Sequence, residues 1–216
     1  MLKQGFFIAG TGTDVGKTVV SAWMLTHLGA DYWKPVQSGM NQIDRATVRE
    51  ITGLTPDHFH PSTYELVDPL VPIESARRMG ITLDHNRFML PVTPRPLLVE
   101  GAGGLLVPIN EEFLMIDLIA KLGLPIVLVC SSKIGTINHT LLSLEAIRSR
   151  KLPLLGVVMN GPLLSYNKEA VESFGQVKIL AEIPQMDQIT ADKLRSIRPH
   201  LPFSRWTREE LLHAVA

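Results

Sequence analysis

Residues 10–18 combine residue types that can bind phosphate and a divalent cation. They follow the apolar run 6–9, and Gly16-Lys17-Thr18 leads into a segment with helical spacing. Backbone N–H groups in a glycine-containing loop and at a helix N-terminus bind anions, because the helix dipole adds positive partial charge there. A lysine can reach the terminal phosphates, and a threonine hydroxyl can ligate Mg²⁺. The segment therefore predicts a nucleotide phosphate site.

The spacing of this loop differs from that of the usual phosphate loop, in which four residues separate the first glycine from Gly-Lys-Ser/Thr. Thr11 occupies the position of that first glycine, and Gly10 lies one residue earlier, so five residues intervene. A plain glycine-rich turn is the alternative interpretation. The strand predicted before the loop and the helix predicted after it favour the phosphate site.

Two further charged residues follow apolar runs. Lys34 precedes a loop that contains Ser38. Beside a phosphate site a lysine stabilises the charge that develops in phosphoryl transfer, although a solvated surface lysine and a turn serine are the simpler interpretations. Glu100 ends the run 96–99 and precedes a glycine-rich loop, where it could ligate Mg²⁺ or act as a loop or capping acid. Next to the phosphate loop the metal interpretation is favoured.

Other polar residues have less specific patterns. Asp44 precedes a helical segment and is interpreted, by itself, as a helix cap. Asn160-Gly161 predicts a tight turn, although the amide could bond an adenine edge. The seven histidines show no metal-ligand spacing, and Cys130 ends an apolar run in which a small core residue is expected.

Alternating apolar runs and helical patterns predict an α/β fold with a doubly wound, mostly parallel sheet flanked by helices. Ligands of such sheets bind at the carboxyl ends of the strands, where the polar residues described above stand. The predicted strands are residues 6–9, 31–36, 96–99, 125–129 and 154–159. The predicted helices are residues 19–28, 44–52, 75–79, 115–122, 139–150 and 207–214.

The bulk properties indicate one compact domain in a reducing compartment. The length of 216 residues predicts one domain over residues 1–216. The balance of 21 basic and 21 acidic residues gives no support to binding of nucleic acid or an anionic membrane. One cysteine cannot form an internal disulfide, and neither a membrane span nor a leader peptide is evident. A cytoplasmic location is therefore expected.

The ordered set of motifs resembles the ATP-dependent dethiobiotin synthetases of biotin biosynthesis. The matching segments are residues 10–18, 34–39, 99–104, 135–139 and 182–184. The resemblance implies a P-loop NTPase-like fold and a ligase that converts 7,8-diaminopelargonic acid, CO₂ and ATP to dethiobiotin, ADP and phosphate. It also implies that the reaction passes through a carbamate and a carbamic–phosphoric anhydride.

The resemblance further assigns roles to individual residues, with Lys17 and Lys34 as the catalytic cations. It makes Thr18, Asp44 and Glu100 the Mg²⁺ ligands, which replaces the capping interpretation of Asp44. The implied substrate residues are Ser38, Gly135, Thr136 and Asn138. The implied nucleotide-binding residues are Thr13, Asp14, Val15, Gly16, Lys17, Thr18, Val19, Asp44, Glu100, Gly101, Ala102, Gly103, Asn160, Gly161, Pro184, Gln185 and Met186.

The resemblance implies a homodimer that acts on small molecules, with the substrate carboxylate bound across the interface at the start of a helix. The chain departs from the family at Asp14, where the family commonly has Glu, and in a short connection before Lys34. Two alternatives remain. One is another ATP-dependent synthetase of this fold, such as the cobyrinic acid synthases, which carry an added glutaminase domain. The other is a partitioning or cell-division-site ATPase switch, which carries a lysine at the position of Gly12.

Overall fold

The computed structural model describes residues 5–206. The strands are β1 (Gly5–Gly10), β2 (Asp31–Trp33), β3 (Val36–Ser38), β4 (Tyr64–Leu66), β5 (Leu97–Glu100), β6 (Ile126–Ser131), β7 (Leu154–Gly161) and β8 (Ile179–Pro184). The α-helices are α1 (Lys17–Leu28), α2 (Asp44–Thr52), α3 (Pro72–Arg78), α4 (Met115–Leu122), α5 (Thr136–Ser149), α6 (Ser165–Gly175) and α7 (Ala191–Ser196). The predicted helix 207–214 lies outside the described residues.

Six of these strands form one parallel sheet in the order β2-β5-β1-β6-β7-β8. Adjacent side chains of β1 enter different cores, since Phe7 lies in one apolar cluster and Ile8 in the other. Both side chains are fully buried, so helices cover both faces of the sheet. The predicted doubly wound α/β fold is thereby confirmed. In the described part of the chain, no helix has the length and apolar character that a membrane crossing needs.

Two details of the fold position the site. The register pairs Ile8 with Glu100 and Trp33 with Val99, so β1, β2 and β5 end at the same edge of the sheet. The predicted strand 31–36 is divided, because the chain leaves the main sheet after β2 and β3 pairs with β4 in a separate two-stranded sheet. Pro35 stands at the division, where it has no N–H to donate and its carbonyl accepts from Thr63 and Tyr64.

Several elements differ from the sequence prediction. The elements β4, α6, β8 and α7 were not predicted, and α5 begins at Thr136 rather than residue 139. Helix α3 begins at Pro72, since proline suits the first turn of a helix. Asn160 and Gly161 do not form the predicted turn but extend β7, opposite Ile183 and Pro184 of β8. Cys130 is fully buried, as the sequence predicted.

Candidate functional site

The phosphate loop links the end of β1 to the start of α1. Its backbone turns sharply, because Asp14 and Gly16 both have left-handed φ angles, of 56° and 97°. Gly16 is the residue that precedes α1, and the first turn of α1 carries no acidic side chain. The partial positive charge at the N-terminus of α1 is therefore not neutralised by an acidic side chain of the helix itself.

Lys17 folds back over this loop and donates from Nζ to the carbonyl of Gly12 at 2.9 Å. Gly10 is sterically required, because a Cβ atom there would lie 2.9 Å from the backbone oxygen of Gly12, to which Lys17 donates. Burial lowers the pKa of Lys17 from 10.5 to about 8, although the negative charge of Glu100 opposes this shift. The loop therefore holds a buried cation beside the helix N-terminus.

A second buried cation, Lys34, lies between two carboxylates. Its Nζ is 2.7 Å from Asp44 Oδ2 and 3.0 Å from Glu100 Oε1. Thr18 Oγ1 shares its single O–H between the same two groups, at 2.7 Å from Asp44 Oδ1 and 3.1 Å from Glu100 Oε1. The four residues predicted from separate motifs thus form one cluster, in which Lys34 is only 5% exposed and is not a solvated surface lysine.

The charges in this cluster stabilise one another. Burial acts to lower the pKa of Lys34, but the neighbouring carboxylates of Glu100 and Asp44 outweigh it, and the pKa is raised. Burial likewise acts to raise the pKa of Asp44, but the charge of Lys34 and the hydrogen bonds from Lys34 and Thr18 together outweigh it, and the pKa is lowered. Lys34 is therefore protonated and Asp44 ionised at neutral pH.

The capping interpretation of Asp44 is wrong. Ile43, not Asp44, precedes α2 as its cap residue, and no side chain caps this helix. The carboxylate of Asp44 instead reaches Thr18 and Lys34. Two carboxylates and a hydroxyl that converge in this way form an all-oxygen ligand set, which is the set that Mg²⁺ prefers. The chemistry of the donors fits the predicted Mg²⁺ ligands.

Gln37 organises the loop between Lys34 and Asp44, and the sequence analysis did not identify it. The two N–H groups of its buried Nε2 are shared among the carbonyls of Ser38, Gly39 and Gln42, at 3.1, 3.1 and 3.3 Å. Its Oε1 accepts from the backbone N–H of Asp44 at 3.1 Å. An amide can make this many bonds only from inside a loop, so one side chain fixes the positions of both Ser38 and Asp44.

Ser21 and Tyr32 were also missed, and both contact Glu100. Ser21 Oγ donates to Glu100 Oε2 at 2.7 Å, and the Tyr32 hydroxyl donates to the same oxygen at 3.0 Å. Burial raises the pKa of Tyr32 well above 10, so its hydroxyl stays protonated. A sequence signal for both existed, because Ser21 lies one helical turn after Thr18 and Tyr32 lies two strand positions before Lys34.

The glycine-rich loop after Glu100 packs against the phosphate loop. A Cβ atom on Gly104 would lie 3.4 Å from the Cα atom of Gly12, and one on Gly103 would lie 3.6 Å from the Thr13 hydroxyl. Gly103 also has a φ of 65°, which favours glycine. The predicted position Gly103 is thereby brought against the phosphate loop, whereas Gly101 packs against Phe7 and Met115, and Ala102 packs against the apolar core.

A groove of about 440 Å³ runs beside these two loops. One wall is formed by Thr11, Gly12 and Thr13 of the phosphate loop. The remaining lining is largely apolar and comes from the loop after β5 and from α5: Gly104, Leu105, Leu106, Val107, Pro108, His139, Leu142, Ser143 and Ala146. The groove can therefore accept an aliphatic chain next to a phosphate site.

The predicted substrate residues fall in two places. Ser38 lies at the end of β3, and its buried Oγ has no hydrogen-bond partner among residues 5–206. Gly135, Thr136 and Asn138 lie at the start of α5, whose later turns line the groove. Thr136 is buried, whereas Gly135 and Asn138 are exposed. The structure does not assemble these two groups into one contact cluster within a single chain.

The predicted base-binding residues lie at the ends of β7 and β8. Asn160 Nδ2 donates to the carbonyl of Val15 at 3.3 Å, so its amide contacts the phosphate loop. Gly161 stands opposite Pro184. Gln185 is exposed, and Met186 packs against the core. Their adenine contacts stay a prediction, as do those of Val19 on α1.

Comparisons with known proteins identify relatives of this chain. A family model described as an AAA domain matches residues 4–193. The chain is 50% identical over 197 residues to the ATP-dependent dethiobiotin synthetase BioD of Paramagnetospirillum magneticum, covering 91% of this chain and 95% of that protein. It is 44% identical to the protein of the same name from Afipia carboxidovorans, covering 88% and 91%.

A longer relative also matches. The chain is 50% identical over 201 residues to the biotin biosynthesis bifunctional protein BioCD of Bordetella avium, but it spans only 43% of that protein's length. Among solved structures, a ParA family ATPase of Chlorobium tepidum matches with a TM-score of 0.53 at 11% identity, covering 99% of this chain and 98% of that chain. The Pyrococcus furiosus cell division ATPase MinD gives 0.52 at 15%, covering 98% and 95%. At such identities the likeness shows the fold alone.

Proposed function

Since the chain belongs to the ATP-dependent dethiobiotin synthetases, which are ligases of biotin biosynthesis, we propose that it closes a cyclic urea on 7,8-diaminopelargonic acid with CO₂ and ATP. The observation that carries this proposal is the convergence of Lys17, Lys34, Thr18, Asp44 and Glu100 at one edge of the sheet. Joining an anionic carbamate to an anionic triphosphate requires buried cations at the junction, and this cluster contains two.

The proposed reaction has three steps. One amine of the diamine attacks CO₂ and loses a proton, which gives a carbamate. A carbamate oxygen attacks the γ-phosphorus of ATP, the bond to the bridging oxygen breaks, and ADP leaves. The second amine then attacks the carbamoyl carbon of the resulting carbamic–phosphoric anhydride. The C–O bond breaks, phosphate leaves and the urea ring closes, with the lost protons passing to solvent.

Each lysine stabilises a different part of the negative charge that is present in these steps. Lys17, at the phosphate loop, stabilises the β- and γ-phosphates, while Lys34 stabilises the carbamate oxygen and the oxygens of the transferred group. Thr18, Asp44 and Glu100 would hold Mg²⁺, which supplies positive charge to phosphate oxygens when it is bound. Because both lysines are buried, their charges act with little screening by water.

The groove beside the phosphate loop supports a place for the aliphatic chain of the diamine. Leu105, Val107 and Leu142 offer apolar contact, and Thr13 lies at the phosphate side. Ser38 has an unpartnered buried hydroxyl with which an amine or a carbamate can hydrogen-bond. We therefore expect the reacting amines to lie at the lysines and the carboxylate of the substrate to lie at the far end of the groove.

A homodimer completes the proposed site. The backbone amides at the start of α5, from Gly135 to Asn138, would bind the carboxylate of a substrate held mainly by the other protomer. Ile134, which precedes them, is fully exposed, and Leu106 and Leu142 on the groove are each 56% exposed. Exposed large apolar side chains on one groove, as Leu106 and Leu142 are, are typical of a surface that a protein partner covers. Sedimentation should give twice the mass of one chain, and Leu142→Glu should shift it to one chain.

The function is tested by phosphate release from MgATP, measured with and without 7,8-diaminopelargonic acid and bicarbonate. The proposal predicts release only when both are present, together with a product of the mass of dethiobiotin. Release that is indifferent to the diamine, or a product of another mass, would contradict it. Lys34→Gln is the matched control, because it should abolish release while the protein still binds ADP.

A further inference from the structure

Glu100 is held through both of its carboxylate oxygens. Oε1 accepts from Lys34 and Thr18, on the side of the cations and the predicted metal ligands. Oε2 accepts from two neutral donors, the hydroxyls of Ser21 and Tyr32. The side chain of Glu100 is fully buried, so water does not compete for any of these bonds.

The two neutral donors come from rigid parts of the fold. Ser21 lies inside α1, one turn after Thr18, and is fully buried. Tyr32 lies in β2 opposite Leu98 of β5, two residues before Glu100, and is also fully buried. Donors fixed in a helix and a strand define where Oε2 stands, and a carboxylate with one oxygen fixed has little freedom to rotate.

We propose that Ser21 and Tyr32 are positioning residues that hold Glu100 so that Oε1 faces Thr18 and Asp44, and thereby set the affinity of the site for a divalent cation. The inference rests on the proposed function of Glu100 as an Mg²⁺ ligand. Ligating carboxylates are commonly oriented by hydrogen bonds of this kind, and loss of such a partner costs about 10- to 100-fold in metal affinity. Neither residue touches the reacting atoms.

The substitution Tyr32→Phe tests this with little disturbance, since it removes the hydroxyl and keeps the ring that packs against Phe59 at a centroid distance of 6.0 Å. The readout is the affinity for Mn²⁺ of the protein saturated with ADP, measured by the paramagnetic resonance signal of free Mn²⁺. Tyr32→Phe should weaken Mn²⁺ binding by about tenfold or more, and Ser21→Ala should change it in the same direction. Melting temperatures establish that each variant is folded.

Tyr64→Phe is the matched control. The Tyr64 hydroxyl also makes two hydrogen bonds, with the backbone of Asp84, but it lies in the small sheet away from Glu100. This variant should bind Mn²⁺ as the wild type does. A comparable loss in Tyr64→Phe, or Mn²⁺ affinity within about twofold of wild type in both Tyr32→Phe and Ser21→Ala, would overturn the inference.

A double-mutant cycle separates the inference from the proposed function. Glu100→Gln alone should weaken Mn²⁺ binding, and Tyr32→Phe added to it should have less than about a twofold further effect, because Tyr32 acts only through Glu100. Unchanged Mn²⁺ affinity in Glu100→Gln would remove Glu100 from the metal site and overturn both. A loss in Glu100→Gln without a loss in Tyr32→Phe would overturn the positioning alone. If Tyr32→Phe fails to fold, Ser21→Ala gives the same cycle.

Discussion

Two buried carboxylates lie at opposite ends of the paired strands β2 and β5, since Asp31 begins β2 and Glu100 ends β5, and only Glu100 belongs to the candidate site. At the amino end Asp31 accepts from Arg95 Nε at 2.5 Å and from the Thr93 hydroxyl. At the carboxyl end Glu100 meets Lys34 at 3.0 Å. Asp31 and Glu100 are 1% and 0% exposed, so burial and an ion pair do not distinguish them.

The surroundings of the two carboxylates differ. Arg95 is one-third exposed and also binds Asp57, and His58 and His60 approach Asp31 at 3.3 Å, so this cluster fastens two connecting segments to β2. The carboxyl-end cluster instead lies beside a helix N-terminus, glycine loops and a groove. A buried ion pair is therefore not by itself a sign of catalysis, and the anion-binding backbone beside the carboxyl-end cluster is the feature that distinguishes the two.

The two clusters should differ most in how kcat responds when a cation is removed from each. Lys34→Gln and Lys17→Gln should each lower kcat by about 10²- to 10³-fold, because each removes charge that stabilises the transition state. Arg95→Gln removes a cation at the amino end and should leave kcat near that of wild type. Steady-state phosphate release, with circular dichroism to confirm folding, makes the comparison. Near-normal kcat in Lys34→Gln would remove Lys34 from the mechanism.

A pH titration distinguishes the two lysines. The lowered pKa of Lys17, about 8, means that this cation is lost in the free protein as the pH rises through 8, whereas the raised pKa of Lys34 keeps its charge. The affinity for ADP should therefore fall by up to about tenfold for each pH unit above 8. Calorimetry from pH 7 to 9.5 measures it. Lys17→Gln should bind ADP weakly with no such fall, and a flat wild-type profile would contradict the account.

Gln37→Leu tests whether the position of Asp44 matters apart from its charge. The substitution loosens the loop that leads to Asp44 but removes no charged group. It removes an amide that makes four hydrogen bonds and should raise the Mg²⁺ concentration for half-maximal phosphate release by about tenfold. Gln42→Leu, on the same loop but exposed, is the control and should behave as wild type. Equal Mg²⁺ requirements in the two variants would show that Gln37 does not position Asp44.

Asp31→Asn should have the smallest effect on activity and a clear effect on stability. Burial acts to raise the pKa of Asp31, but hydrogen bonds from Thr93, Arg95 and His60 outweigh it, and the pKa is lowered. The stabilising contribution of Asp31 is therefore present above the ordinary pKa and is lost as the pH falls through the lowered one. At pH 7 the variant should have a Tm about 5 °C lower, and the difference should shrink below about pH 4.

The measurements for Asp31→Asn are Tm at pH 7, 4 and 3, and kcat at pH 7. A kcat within about twofold of wild type is expected, because Asp31 lies at the opposite end of β2 from the lysines. A large fall in kcat at unchanged Tm would mean that the amino-end cluster contributes to the chemistry.

The sequence predicted local features well. The phosphate loop, α1 and five of the six strands of the main sheet have patterns set by residues close in sequence, and they lie where those patterns placed them to within a few residues, whereas β8 was not predicted. The assembled cluster was less predictable, because Thr18 meets Glu100 across 82 positions and Lys34 meets Glu100 across 66. Tertiary packing determines where the predicted strand 31–36 divides, at Pro35. It also determines the contacts of Gln37, Ser21 and Tyr32. That residues 1–216 form one domain stays a prediction.

Transfer of an isotope tests the central claim most directly. With CO₂ labelled at both oxygens with ¹⁸O, a reaction through the carbamic–phosphoric anhydride leaves one labelled oxygen in the urea of dethiobiotin and places the other in the phosphate released. Mass spectrometry of phosphate formed before the label exchanges with water should therefore find one ¹⁸O per molecule. Phosphate without label, beside labelled dethiobiotin, would contradict the phosphorylated carbamate and the function proposed for the two lysines.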